Sequence, residues 1–388
     1  GNIDFENDAT GTGDAAAKLK KSCMEDFAEA CRLLGVEEDR MKDALMHKVI
    51  AAQGETVKVE IDMHAARAQR DSMAKTVYSR CFDEIVEVIN ARLGNQVCFE
   101  EKPVVGLLDI FGFEDMPING FEQLFINLTN EWIQHHFNNV MFKRELEIYK
   151  EEEIEITFAR PDNWKCVELF ISDKNPSGII KLLQDRVTTP NAKDGKEFVD
   201  SMLNRNLKDV PHYAVCDPKA VQKLVQAKQQ KFPKVKFQVR YEECFQVSHY
   251  AGTILYTVQD FIAKSRDQLS ENVLVALRSS KRKQVCHLFR KDSAEEATMG
   301  KKEVKTVGQH FKFQLKGLME TLEASSSLFV RCIKPNSEMK PGRFDEALVL
   351  EQLTCGGVVS ALEMRSAGLP DRVEFPAFFR EFWCLERQ

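Results

Sequence analysis

Apolar positions in the first hundred residues recur at helical spacing. Met24, Phe27, Ala28 and Cys31 follow i, i+3, i+4, i+7; Met41, Ala44, Leu45 and Val49 follow i, i+3, i+4, i+8, also one helical face, with Gly54 as the stop. A longer stripe, Ala74, Val77, Tyr78, Cys81, Ile85, Val88 and Ile89, predicts a third helix that ends near Gly94. The stretch 55–68 before it reads as exposed.

The texture then changes. Residues 104–108, Val-Val-Gly-Leu-Leu, form an apolar run without a polar face, the pattern of a strand buried on both sides. Asp109 ends it. Asn119 opens a long helix, with Glu122 three residues on as in a capping box. Phe121, Leu124, Phe125, Leu128 and Trp132 line one face, and the pattern runs to about Glu152. Such a helix would be about 45 Å long, enough to carry motion across a protein. Further strands are predicted at 245–249, 253–258 and 329–333, and no internal repeat is present. The charge-rich connections 206–241 and 290–305 read as surface loops, the first with room for a short helix.

Composition changes the picture little. At 43% hydrophobic the 388 residues can bury a large core, which excludes wholesale disorder. A net charge of −6 argues against a general nucleic-acid binder. No signal peptide is visible, and no run is long enough for a transmembrane segment. The eleven cysteines form no CxxC pair and read as a reduced, cytoplasmic thiol set. His135 and His136 are adjacent, so on a helix they point about 100° apart and cannot easily share an ion.

Chemistry concentrates at Asp109-Ile110-Phe111-Gly112-Phe113-Glu114, between the expected strand and the long helix. An acidic residue at the carboxyl end of a strand can hold Mg²⁺ through water, and a glycine can bring its N–H to a phosphate. A strand end followed by a tight turn is the alternative from these six residues alone.

This run resembles switch II of the myosin motor, and the resemblance continues in order along the chain. Asn119-Gly120-Phe121-Glu122-Gln123-Leu124, with Asn127, Thr129-Asn130-Glu131 and Phe137-Asn138, is similar to the start of the myosin relay helix. Arg70-Asp71-Ser72-Met73-Ala74-Lys75 resembles the helix after the cardiomyopathy loop. His249-Tyr250-Ala251-Gly252 resembles the transducer strands, and Phe329-Val330-Arg331-Cys332-Ile333-Lys334-Pro335-Asn336 the segment beyond loop 2. Gln352-Leu353-Thr354-Cys355-Gly356-Gly357-Val358 and Gly368-Leu369-Pro370 resemble the reactive-thiol helices.

The resemblance implies a helix-rich α/β fold: part of a myosin head, a mixed P-loop-NTPase-like sheet flanked by helices, with the nucleotide-loop half missing. No G-x-x-x-x-G-K-[ST] run and no switch I occur in the 388 residues. The implied divisions are 1–103, part of the upper 50-kDa subdomain; 104–288, switch II, relay helix, lower 50-kDa subdomain and transducer; 289–306, loop 2; 307–370, core strand and thiol helices; and 371–388, the start of a converter. Light chains or calmodulin would bind only a lever arm absent from these residues.

Intact, such a head is an actin-activated Mg-ATPase on the actin cytoskeleton; the alternative is a non-catalytic actin-binding remnant. By resemblance, Asp109 holds Mg²⁺ through water, the Gly112 N–H touches the γ-phosphate, and Glu114 pairs with a switch I arginine not found here. Asn119 and Phe121 begin the relay; Gly357 and Gly368 serve as hinges or as ordinary helix-end glycines. Cys355 sits at one reactive-thiol position and Arg365 at the other, so that thiol is missing. Actin contacts are expected from Lys301, Lys302 and Lys305 of loop 2, and from Ile179, Ile180 and Pro190 as exposed apolar groups. Residues 219–240 carry seven basic side chains and no acid. They read as an extra actin contact, an anionic-lipid or partner patch, or a solvated helix.

Overall fold

The computed structural model describes residues 2–7, 16–52, 55–93, 104–155, 162–189, 195–204, 212–215, 218–265, 269–290, 306–369 and 371–387. The chain divides into two compact units, Gly1–Leu108 with Asp267–Val304, and Asp109–Arg266 with Lys305–Gln388. Residues 269–288, grouped by sequence with the switch II segment, therefore pack with the amino-terminal unit.

In that first unit the helix Met24–Leu34 forms as its apolar spacing predicts, and it ends at Gly35 in a left-handed turn, φ +67°. A Cβ there would lie 2.8 Å from the Arg282 side chain, so both the turn and the space require glycine. The second helix, Glu38–Met46, is shorter than its apolar spacing suggests. His47–Ala52 instead pairs antiparallel with Glu55–Glu60 as a hairpin. Thr56-Val57-Lys58-Val59 alternates and is rich in β-branched residues, which outweighs the helical spacing of Val49; Val57, Lys58 and Glu60 are exposed as the sequence reads, while Ile61 and Ala66 further on are buried. Phe5, Phe27, Met41, Leu45, Val273, Leu277 and Phe289 fill the core. The third helix, Met63–Leu93, buries Ala66 and Met73, but leaves Tyr78, Phe82, Ile85 and Ile89 exposed.

The second unit is organised on the long helix Phe121–Glu151. Its predicted stripe of Phe121, Leu124, Phe125, Leu128 and Trp132 packs on Phe245, Val247, Ile254 and Tyr256 of a three-stranded antiparallel sheet. That sheet contains the two expected strands as Cys244–His249 and Gly252–Thr257, with Tyr213–Val215 added. Helix Ile179–Thr188 lies in the same core, and Ile179 and Ile180 are 0% and 1% exposed. The expectation that they are exposed contacts is thus corrected. They fill space beside Phe125 and Gly308, where burial stabilises more than exposure would.

Two further expectations are corrected. Residues 104–108 and 329–333 carry no regular secondary structure, so neither is a strand. Val105 and Leu107 are 88% and 95% exposed, and Leu328 and Val330 are exposed too. A strand needs a backbone partner, and among the described residues no segment supplies one. The described sheets are accordingly small and antiparallel. The long helix also starts differently from the expected capping box. Gly120 is its N-cap, and Gln123 Oε1 accepts from the Gly120 N–H at 3.0 Å. Glu122 pairs instead with Lys264.

Candidate functional site

The loop 109–116 enters the long helix with one side open. Asp109 and Gly112 are exposed, and a Cβ on Gly112 would meet no heavy atom within 4 Å. The other side is held by a polar stripe on the helix. Asn127 grips the Glu114 main chain twice: its Oδ1 accepts from the Glu114 N–H at 2.8 Å, and its Nδ2 donates to the Glu114 carbonyl at 2.9 Å. Asn130 Nδ2 donates to the Phe111 carbonyl at 3.0 Å. Gln123 Nε2 donates to the Glu114 carboxylate at 3.2 Å. Gln123, Asn127 and Asn130 are spaced i, i+4, i+7, so one helical face holds the whole loop. Glu114, expected to pair with an arginine, is thus paired with a glutamine of its own chain.

Asn119 is fully inside and brackets the helix entry. Its Oδ1 accepts from the Met116 N–H at 2.8 Å, and its Nδ2 donates to the Leu255 carbonyl at 3.2 Å. Phe113 sets its ring edge-on to His249 and Tyr250, 5.2 and 5.6 Å between centroids.

Behind the loop runs a buried hydrogen-bond chain. Asn127 Nδ2 also donates to the Tyr256 hydroxyl at 2.9 Å, which lies 2.9 Å from His249 Nε2. His249 Nδ1 lies 2.8 Å from Glu131 Oε2. One assignment satisfies every group: Tyr256 donates to Nε2, and the Nδ1–H donates to the carboxylate. Glu131 Oε1 accepts from Asn163 at 2.7 Å, and Oε2 from the Tyr250 N–H at 3.3 Å. Burial pushes the Tyr256 hydroxyl far above its ordinary pKa, so it remains a donor at any physiological pH. Cys166 touches this chain 3.8 Å from His249 Nδ1. Glu131, Cys166 and His249 place ligand atoms within 4.8 Å of one another, a spacing a metal accepts. Each atom is already engaged in the hydrogen-bond chain, and burial, with Glu131 adding to it, keeps the Cys166 thiol protonated. The set reads as a structural network.

The far end of the long helix meets the carboxyl-terminal segment. The Tyr149 hydroxyl accepts from the Leu369 N–H at 2.9 Å, next to Gly368, and Glu145 pairs with Arg372. Midway, Gly357 sits between helices Glu346–Cys355 and Val358–Ala367 with φ +71°, against the buried Gln134 side chain. One rigid element therefore touches the open loop, the two-helix junction and the carboxyl-terminal segment.

The sequence matches the family described as Myosin head (motor domain) over residues 1–388. The chain belongs to the myosin head family. It is 34% identical to Myosin-17 of Arabidopsis thaliana over 387 residues, 99% of this chain and 23% of that protein. It is 34% identical to Arabidopsis Myosin-8 over 390 residues, 100% and 24%, and 35% identical to Protein OPAQUE1 of Zea mays over 387 residues, 99% and 23%. The chain thus spans 23–24% of the length of these curated relatives.

Against the myosin-head expectations, Asp109, Gly112, Glu114, Asn119 and Phe121 cluster at one end of the long helix. Gly357 packs against the same helix further along, at Gln134, and Gly368 lies next to Leu369, which bonds to Tyr149 near its far end. Lys301, Lys302, Lys305 and Pro190 lie outside the described residues. The holding residues Gln123, Asn127, Asn130, Glu131, Asn163 and Tyr256 were not singled out by their chemistry; the polar i, i+4, i+7 spacing was the available signal. His135 and His136 take separate partners, as their spacing requires. His135 lies on Trp164, and His136 Nε2 is 2.9 Å from Ser327 Oγ.

Among the described residues no helix is long and apolar enough to cross a membrane. Burial holds the His136 imidazole below its ordinary 6.5, with Glu323 opposing. A depressed folded pKa gives stability that is present above 6.5 and is lost as pH falls through the folded value. Melting temperatures between pH 7.5 and 5 should therefore fall more steeply for the parent than for His136→Phe, which cannot titrate. Equal slopes would remove His136 from the acid sensitivity.

Proposed function

We propose that this chain is the part of an actin-based motor head that senses the phosphate and passes its presence to the mechanical end. The observation that carries the reading is the double grip of Asn127 on Glu114, reinforced by Asn130 on Phe111. A shift of the loop cannot occur without moving the long helix or breaking three hydrogen bonds. The same helix touches Gly357 and Leu369, which fits transmission to the thiol helices and converter.

The open side of the loop fits a phosphate with its metal: the Asp109 carboxylate is exposed, and nothing crowds Gly112. Asp109 would hold Mg²⁺ through water, and the Gly112 N–H would face the terminal phosphate. Mg-ATP, when bound, supplies the hydrolysable phosphate and the charge to which the loop responds. Glu114 closes the loop on its inner side through Gln123. The P-loop-type sheet and the cytoplasmic, actin-cytoskeletal setting belong to the same reading.

Most phosphate contacts in P-loop enzymes come from motifs these 388 residues do not contain. Titration calorimetry of the chain alone should therefore give no saturable heat with Mg-ATP, and a micromolar Mg-dependent site would overturn the division of labour. Actin filament binding should be retained. Lys301, Lys302 and Lys305 would act by long-range attraction, screened over about 8 Å at physiological salt. Their triple alanine variant should associate more slowly with a flatter salt dependence and a nearly unchanged dissociation rate, read by stopped flow. An unchanged association rate would remove loop 2 as the steering element.

A further inference from the structure

The basic stretch 219–240 reads by sequence as an outward-facing patch, but its helix, Pro218–Lys231, is amphipathic in an unusual way. Val221, Leu224 and Val225 lie on one face and pack with Cys244, Leu255 and Val239, which docks the helix on the three-stranded sheet. Lys228 and Lys231 continue that same stripe at i+3 and i+4 spacing. The docked face therefore ends in two cations rather than in solvent.

Both cations have carboxylate partners, inward for Lys228 and at the surface for Lys231. Lys228 is 8% exposed; its Nζ lies 2.6 Å from Asp115 Oδ1 and also donates to the Met116 carbonyl. Lys231 Nζ lies 3.2 Å from Asp115 Oδ2 and 2.7 Å from Glu351 Oε1. Asn119 Nδ2 gives the Asp115 carboxylate a third donor, on Oδ1 at 3.3 Å. Asp115 directly follows Glu114, and Glu351 lies on the helix Glu346–Cys355, whose Cys355 carbonyl accepts from the Tyr250 hydroxyl at 2.7 Å. Burial alone would raise the Asp115 carboxyl, but the two lysines outweigh it and hold it below its ordinary value.

We propose that Lys228 and Lys231 form an electrostatic brace that positions the Asp115–Asn119 turn and ties it to the Glu346–Cys355 helix. They are positioning residues: neither touches the open face of the loop. Lys228 sets the turn through the side chain of Asp115 and the main chain of Met116. Lys231 shares its charge between the turn and the Glu346–Cys355 helix, so the position of one biases the other. Lys228 is withdrawn from any outward patch, and Lys231, although exposed, is engaged by two carboxylates. Lys223, on the same helix, is exposed. That the brace governs a phosphate-responsive loop rests on the functional reading above; its existence does not.

The test uses the full chain without nucleotide or actin, so failure of the motor reading leaves it intact. Amide hydrogen exchange is followed by mass spectrometry, together with site-resolved alkylation of Cys355. Lys231→Met cuts the tie to Glu351 but keeps the Lys228–Asp115 pair, so the fold is retained. It should speed exchange of the peptide covering 114–119 and alkylation of Cys355, each by about tenfold or less. Lys228→Met and Asp115→Asn should loosen the 114–119 peptide more, by tenfold or above. Glu351→Gln should reproduce Lys231→Met, with its effect reaching the turn although Glu351 does not touch it. Lys223→Met should change neither readout. If Glu351→Gln and Lys231→Met leave the turn at parental exchange, the two elements are not tied and the brace is overturned. An equal response to Lys223→Met would mean that helix charge in general acts there, and would overturn it too.

Discussion

Replacing Glu131 by alanine is expected to destabilise the second unit by about 3–5 kcal/mol, the range for breaking a fully buried charged hydrogen-bond set. Glu131 is 0% exposed and is the acceptor for the His249 ring, the Asn163 amide and the Tyr250 N–H. Truncation leaves the His249 and Tyr250 N–H groups without this acceptor and frees one of the two Asn163 amide hydrogens, while the other keeps the Glu131 carbonyl at 2.8 Å; each lost partner costs about 1–3 kcal/mol before relaxation. The melting temperature should drop by about 2–4 °C per kcal/mol for a unit of this size. Glu131→Gln keeps one acceptor oxygen but turns an NH₂ toward another donor, so its loss should be smaller. The informative measurement is the cycle with His249→Ala. Once the ring is gone, one of the three stranded donors is gone as well, and the double variant should cost clearly less than the sum of the two singles. Additive losses, or a Glu131→Ala melt within a degree or two of the parent, would show that the hydrogen-bond chain does not act as a unit.

The parts of the fold carried by periodicity were legible. The stripe Phe121, Leu124, Phe125, Leu128 and Trp132 specifies both the long helix and its buried face, because five large apolar groups at 3.6-residue spacing have one stable orientation. The strands Cys244–His249 and Gly252–Thr257 were legible to within a residue of their bounds; the first alternates in burial, whereas Ile254, Leu255 and Tyr256 are buried in succession. Residues 104–108 were not, because an apolar run reports only a preference for burial. Whether it becomes a strand depends on a partner elsewhere, which local sequence does not encode. Ile179 and Ile180 show the reverse error. Their expected exposure came from the resemblance, while their own helical spacing with Leu182, Leu183 and Val187 points to the core they fill.

The site divides along the same line. Asp109, Gly112 and Glu114 stand in one contiguous run and could be read directly. The residues behind the run could not be, since Asn127 and Glu131 sit on a helix where polar residues ordinarily face water. Only the sheet packed against that face turns them inward. The two lysines of the brace were hidden in the same way, by five similar residues around them. What separates them is the apolar stripe of Val221, Leu224 and Val225, whose extension passes through both.

Gly357→Ala is expected to cost about 2–5 kcal/mol from two separable sources. The first is the backbone: φ is +71°, and an L-residue in the left-handed region loses about 1–2 kcal/mol. The second is space. A Cβ would lie 2.1 Å from Gln134 Oε1 and 2.4 Å from its Cδ and Nε2, and overpacking of that kind costs about 1–3 kcal/mol. Gln134 is the flexible end of a side chain, which favours relief. But it is buried, and its Nε2 donates to Asn138 at 2.9 Å, so moving it breaks a buried bond. Removing the obstacle separates the sources: in a Gln134→Ala background the same glycine substitution should cost only the backbone share. Urea unfolding of the four variants measures this directly. In the parent background the turn has to lift from the long helix, and lifting it strains the bond from Arg331 Nε to the Gly356 carbonyl at 2.8 Å. Amide exchange in the Glu346–Cys355 helix should therefore rise with Gly357→Ala and fall back when Gln134 is truncated as well. An identical cost in both backgrounds would mean that the long helix and the two-helix junction do not press on each other at Gly357, and the mechanical path would have to run through Tyr149 and Leu369 instead.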